Sequence, residues 1–283
     1  LVFMSEMLSD WQKKVIEPAE HIREYITKNK IRYDGRKANQ FRNAAVHRNM
    51  ITTADSSAIA RIGGTAAICG MNLEIMENDT LIPSPGLVLN IESVSPTIVV
   101  SWQNEIDKAK CILKSLIEKN IINSKSLEIF NGELFWVIYC DFVVLDCAGG
   151  LLEVCLVALL AALQELRFPV VRVLHEDFKI NLKNIKVDTT ETSPVSLSNV
   201  YPVASSFLKL GDEILICDPT DEETKLIGDA FTIIVGAQKT LCGLFKTGGA
   251  ASLSKQLIDE SVEHALQRRR HILQLLGIED EDH

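Results

Sequence analysis

The chain has 283 residues, 47% apolar and 24% charged, and a chain of this length buries enough surface to fold without disulfide or metal staples. Its 15 glycines and 8 prolines exclude a collagen-like or low-complexity polymer, and its apolar content excludes an intrinsically disordered one. Lysine and arginine total 29 against 38 aspartates and glutamates, a net charge of −9, which makes the chain a poor stand-alone binder of polyanions.

The opening Leu1-Val2-Phe3-Met4-Ser5-Glu6 lacks the basic flank of a secretory signal, and without a methionine at position 1 the leading residues read as an appended or truncated end. A first helix opens near Pro18, carries Ile22 and Ile26 at helical spacing, and ends before Asn29. Ser57–Ile62, the turn Gly63-Gly64 and Thr65–Cys69 read as a β-hairpin. Residues 78–102, rich in serine and holding three prolines, read as the least regular part of the first half. Helical period returns over Asn104–Lys119, with Ile106, Ala109, Leu113, Leu116 and Ile117 on one stripe.

Glu133–Leu145 is a long β-type run, followed by Gly149-Gly150 and a Leu/Ala-rich helix from Leu151 to Leu166. That helix is apolar nearly all round and is expected between layers. Its uncharged run, Val154–Leu163, falls well short of the about 20 residues a membrane-spanning helix needs, so no membrane partner is expected. The polar, proline-terminated Thr189–Pro194 reads as a linker. Strands are expected over Val200–Leu208, Glu213–Cys217, Leu226–Val235 and Thr240–Phe245. A long amphipathic helix, about Leu253–Leu276, closes the fold, with Leu257, Ile258, Val262, Ala265, Leu266, Ile272 and Leu273 as its stripe. Strands in groups followed by helices, in two rough copies, give an α+β class. The tail Glu279-Asp280-Glu281-Asp282 is expected to be solvated.

Few motifs carry chemistry. The seven cysteines are scattered and form no CxxC pair, so they read as reduced, buried thiols of a cytosolic or nuclear protein. Arg32-Tyr33-Asp34-Gly35-Arg36 is a charged turn, either solvated or an ion-paired clasp. Gly149-Gly150 has the shape of an anion-binding turn, but Leu151 and Leu152 offer no donor and Glu153 repels phosphate. Asp218-Pro219-Thr220-Asp221-Glu222-Glu223 is the densest carboxylate cluster. It fails the calcium-loop pattern and reads as a solvated hairpin. Lys246-Thr247-Gly248-Gly249 lacks phosphate-loop spacing, and Arg268-Arg269-Arg270 reads as solvated, since successive helical residues diverge. The six histidines show no metal spacing, and no catalytic constellation emerges.

Arg32–Arg36 followed by Asp55–Gly70 (DSSAIARIGGTAAICG) resembles the opening of an RNase PH-type domain. The resemblance continues through Trp136–Gly150 and Tyr201–Glu223 and covers most of residues 18–276. Within that family Glu17–Glu20, Tyr201–Phe207 and Asp218-Pro219-Thr220 are most similar to the non-catalytic ring subunits of the eukaryotic exosome. The resemblance implies an RNase PH-like fold: a helical extension over 1–30, a first half over 31–167, a connecting segment over 168–194, a second half over 195–276 and an acidic tail over 277–283. It also implies a six-member ring of RNase PH-like subunits that threads RNA, with RNA-binding cap subunits and a separate nuclease, in nucleus, nucleolus and cytoplasm.

Catalytic relatives attack RNA with inorganic phosphate. They hold it with a glycine turn followed by Thr or Ser and then Arg, and here the matching positions are Leu151 and Leu152. They also place two aspartates six residues apart about a metal, where this chain has Thr224 and Ala230, with Asp229 one position off. Ile98–Gln103 contains no arginine where relatives use arginines on RNA. Losing a positioned arginine–phosphate bond removes about 1.5–3 kcal/mol. The resemblance thus implies no catalytic residues, no cofactor and a structural role in RNA processing and degradation, ribosomal RNA included. An active phosphate-dependent 3′-to-5′ exoribonuclease, a sister non-catalytic subunit and an accessory RNA-binding module are the alternatives.

Overall fold

The computed structural model describes residues 15–77, 86–94, 96–130, 133–173, 185–211, 214–246, 248–249 and 252–279. Helix α1 (Pro18–Asn29) starts on a proline, whose fixed φ suits the first turn, and stops where Lys30 takes a left-handed conformation. Ile22 and Ile26, one helical turn apart, are its buried residues.

The first sheet is built from β1 (Ala44–Arg48), β2 (Ser56–Ile62), β3 (Thr65–Glu77), β4 (Leu87–Ser93), β5 (Glu128–Phe130) and β6 (Leu134–Asp146). Their order is β1-β2-β3-β6-β4, with β5 paired to β6, and every pairing is antiparallel except β4 beside β6. Gly63, at φ +58°, makes the tight turn between β2 and β3. Helix α2 (Pro96–Leu116) follows β4, and its chain widens into one π-helical turn at Ile117–Ile121. The expected stripe from Ile106 to Ile117 is buried.

Helix α3 (Leu151–Glu165) buries every residue from Val154 to Leu163, because β1, β2 and β3 of the first sheet, helix α2 and a strand of the second half all pack on it. Ser56 Oγ donates to the Ala162 carbonyl at 2.6 Å and ties it to β2. An antiparallel ribbon of β7 (Arg167–Val173) and β8 (Ile185–Pro194) leads to the second half. There β9 (Val203–Leu210), β10 (Ile214–Cys217), β11 (Ala230–Val235) and β12 (Leu241–Lys246) form an antiparallel sheet in the order β10-β9-β11-β12. Helix α4 (Asp221–Ile227) joins β10 to β11, and α5 (Lys255–Leu275) packs on β9 and β11.

The α+β class with two βα-rich halves and a long C-terminal helix stands, but four local expectations change. Residues 78–102, expected to be irregular, contain β4 and the start of α2; Thr97–Val100 is β-branched and hides a helix that opens on Pro96. Thr189–Pro194 is paired strand; its side chains are all exposed, so this segment has no core face to give its sequence an alternation. Leu226–Ile227 end a helix before the strand begins at Ala230. Thr220 caps that helix reciprocally with Glu223, a T-x-x-E signature legible in the sequence. Four cysteines (Cys69, Cys140, Cys155, Cys217) are buried, Cys147 and Cys242 are half-buried, and Cys111 is exposed. Residues 280–283, Thr247 and Glu213 lie outside the described residues.

Candidate functional site

Gly149 and Gly150 carry the chain from β6 into α3 at φ +91° and +73°, angles that disfavour any side chain. A β-carbon on Gly149 would stand 3.0 Å from the Asp221 nitrogen and 3.3 Å from the Pro219 oxygen, so the turn lies directly against the backbone that starts α4. Thr65 holds it from the other side. Its hydroxyl donates to the Gly149 carbonyl at 2.6 Å and accepts from the Ala148 N–H at 3.0 Å.

In front of the turn, α2, α4, β11 and β12 enclose a cavity of about 250 Å³. Leu151 and Leu152 line it from the head of α3, Thr224 from α4 and Ala230 from β11. The structure therefore brings into one chamber the four positions that the sequence marks separately. Asp229 is not among the lining residues; its carboxylate lies against Gly249 instead. Trp102 forms part of the wall, with the Lys225 ammonium 5.0 Å from its ring centroid.

The electrostatics of this chamber are those of a poor anion site. Among the described lining residues the cations are Lys108 and Lys225, set against Glu105, Glu153 and Asp221, and there is no arginine. Each lysine is already engaged, Lys108 with Glu105 at 2.9 Å and Lys225 with Asp221 at 2.7 Å. An anion that reached the turn would meet the side chains of Leu151 and Leu152, which donate no hydrogen bond. The side chains of Ile98–Ser101 lie outside the described residues, so the arginine-free stretch there is a property of the sequence alone.

Behind the turn the arginines are abundant and committed inward. Arg32, 1% exposed, donates from Nε to Glu223 Oε1 at 2.9 Å and from Nη2 to Glu223 Oε2. It also donates to the Cys217 and Asp218 carbonyls at 2.9 and 3.0 Å. Asp218 accepts the Arg42 backbone N–H at 2.7 Å, its Nη2 at 2.6 Å and its Nε at 2.9 Å, and Arg36 adds a bond at 3.2 Å. Arg42 reaches on to the Ala148 and Gly149 carbonyls at 3.0 and 3.2 Å, linking Asp218 of the second half to the glycine turn of the first. Burial pushes the Asp218 carboxyl up, but hydrogen bonds and charge from Arg42, with Arg36 behind, hold it below the ordinary aspartate range.

Three sequence readings are decided here. Of the two readings of Arg32–Arg36, the structure selects the clasp. The cluster from Asp218 to Glu223 is not a solvated hairpin: Asp218 and Glu223 are buried because Arg32, Arg36 and Arg42, distant in the chain, neutralise them. Arg268 and Arg269 are also buried, and only Arg270 of that triplet is exposed. The guanidinium of Arg268 lies 5.2 Å from the Phe41 centroid, while Arg269 donates to the Val200 and Tyr201 carbonyls, each at 3.4 Å. The central member of the network, Arg42, follows an unremarkable Gln-Phe pair and carries no sequence signal for its role.

The chain matches the pattern of the 3′ exoribonuclease family in two parts, domain 1 over residues 40–169 and domain 2 over residues 201–268. The exosome complex component rrp43 of Schizosaccharomyces pombe is 31% identical over 242 residues, 83% of this chain and 87% of that protein. The exosome complex component Rrp42 of Sulfurisphaera tokodaii is 27% identical over 247 residues, 84% of this chain and 86% of that protein. A chain of an archaeal exosome core superposes with a TM-score of 0.71 at 22% identity, covering 91% of this chain and 97% of its own. One from the Archaeoglobus fulgidus exosome with RNA bound to the active site gives 0.73 at 23%, with coverage of 91% and 98%. These two likenesses are of fold.

Proposed function

The chain belongs to the RNase PH-type family of 3′ exoribonucleases, and on that premise we propose that it is a non-catalytic, structural subunit of an RNA exosome ring. Its part in 3′-to-5′ RNA processing and degradation is to complete the ring. Other RNase PH-like chains are its neighbours in a six-member assembly, with RNA-binding cap subunits above and a separate nuclease supplying the cutting. Nucleus, nucleolus and cytoplasm are the compartments this reading assigns.

One observation carries the proposal: the cavity at the glycine turn is lined by Leu151, Leu152, Thr224 and Ala230, with no arginine among its described lining residues. Phosphorolysis requires an orthophosphate held as a nucleophile, which demands charge-assisted bonds at the turn and stabilisation of the developing charge. Hydrocarbon at two of these positions, and a methyl and an uncharged hydroxyl at the other two, supply neither. The overall charge of −9 also supports a chain that meets RNA only inside an assembly whose partners provide the positive field.

The test has two arms. The purified chain is incubated with 3′-labelled RNA and phosphate; release of nucleoside diphosphates would defeat the non-catalytic reading. Separately, the tagged chain is recovered from its own cells and every co-purifying chain is identified by mass. RNase PH-like partners in equal amount are expected, and a lone monomer would defeat the ring assignment.

A further inference from the structure

Beside the glycine turn, sharing Glu153 and Ser206 with the larger chamber, is a second cavity of about 10 Å³. Arg42, Glu153, Ser205, Ser206, Asp218 and Arg268 give it its polar lining, and Phe41, Ile62 and Ala204 close it with apolar side chains. Three of these groups come from different elements and are more than nine-tenths buried: Glu153 of α3 at 8% exposure, Ser205 of β9 at 1% and Arg268 of α5 at 7%. Glu153 Oε1 and Ser205 Oγ have no hydrogen-bond partner among the described residues. A buried polar atom left in that condition is costly, and native structures rarely tolerate it. Two residues that line one cavity beside a buried guanidinium, each with such an atom, point to a ligand that both can bind.

Size and charge then decide which ligand. The volume is that of about one water, for which about 10–15 Å³ is the lower bound, so phosphate and any organic group are too large. A bare cation would sit between the guanidiniums of Arg42 and Arg268, and a halide between the carboxylates of Glu153 and Asp218. Either would add an uncompensated charge to a site whose own charges balance. A neutral molecule that both donates and accepts has no such conflict.

We propose that this cavity is a binding site for one structural water molecule, which donates to Glu153 Oε1 and accepts from the Ser205 hydroxyl and the Arg268 guanidinium. The water joins α3 of the first half to β9 and α5 of the second. It also completes the polar network that Arg42 and Asp218 begin. Burial pushes the Glu153 carboxyl upward, with Asp218 adding to the rise and Ser206 and Arg42 opposing it, so a further donor at Oε1 falls where the ionised form needs one. The site is independent of whether the chamber in front of the turn takes phosphate.

A crystal structure of the full chain at a resolution that orders single waters tests this directly. The expected result is one peak at about 2.7–3.2 Å from both Glu153 Oε1 and Ser205 Oγ, with no anomalous signal there after bromide or rubidium soaks. An empty cavity, or an anomalous peak from either ion, overturns the proposal. In Ser205→Val the added methyl fills the space, and oxygen-17 relaxation dispersion in solution should count one fewer long-lived water than in the parent; an unchanged count overturns it as well. Should that variant fail to fold, the parent density decides alone.

Discussion

The buried guanidinium of Arg32 donates four hydrogen bonds, two of them to one carboxylate. The planar fork of arginine matches Glu223 in a way that a lysine cannot. Arg32→Ala leaves Glu223 buried without its partner and is expected to cost about 3–5 kcal/mol in urea unfolding; a loss under about 1 kcal/mol would mark the pair as a surface contact. Asp218 makes a prediction in pH. Its carboxyl is held below the ordinary range, so its stabilisation is fully present above the unfolded value and disappears as pH falls through the lowered one. The stability gap between the parent and Asp218→Asn should therefore be constant near neutrality and shrink below about pH 3.9. A gap that stays constant down to acid unfolding would contradict the Arg42–Asp218 assignment. Neither pair is visible in the sequence, which shows Arg32 and Asp218 as members of two charged turns far apart in the chain.

Helix α3 and the turn before it show what an element's sequence can and cannot announce. The uncharged run from Val154 to Leu163 requires burial on every side, and the structure supplies it with sheets from both halves. The turn is also legible as Gly149-Gly150, but one reason for glycine there is tertiary: besides the φ of +91°, the backbone leading into α4 passes within 3.0–3.3 Å of where a β-carbon would stand. Gly149→Ala is expected to destabilise by about 1–3 kcal/mol, the scale of a strained left-handed residue, and to weaken amide protection at the start of α4 in hydrogen exchange. Unchanged protection there would show that the turn and α4 are not in contact. By contrast, α4 announces itself through Thr220 and Glu223, whereas β8 is silent because hydrogen bonds to β7 alone make it a strand.

Across the whole molecule the two halves share one interior. Residues of α3 pack in a single cluster with Val203, Ala204 and Ile234 of the second sheet and with Ile272 and Leu276 at the end of the chain. Arg42 adds a polar link between the same halves, and Arg48 Nη2 donates to the Leu276 carbonyl at 2.6 Å. The halves are therefore expected to unfold together: in denaturant, hydrogen-exchange protection of α3 and of β9 should be lost at one midpoint. Two separated midpoints would mean two independent units. The sequence by itself determined the α+β class and the apolar helix at the centre, because periodicity and residue type are local properties, and its resemblance to the RNase PH family singled out Leu151, Leu152, Thr224 and Ala230. Only the tertiary structure decided that those four positions face one chamber, that the acidic turn at Asp218 and Glu223 is a buried clasp, and that Arg268 and Arg269 point inward. Charge is legible along a chain, but the partner that neutralises it is chosen by folding, which sets the distances on which electrostatic energy depends.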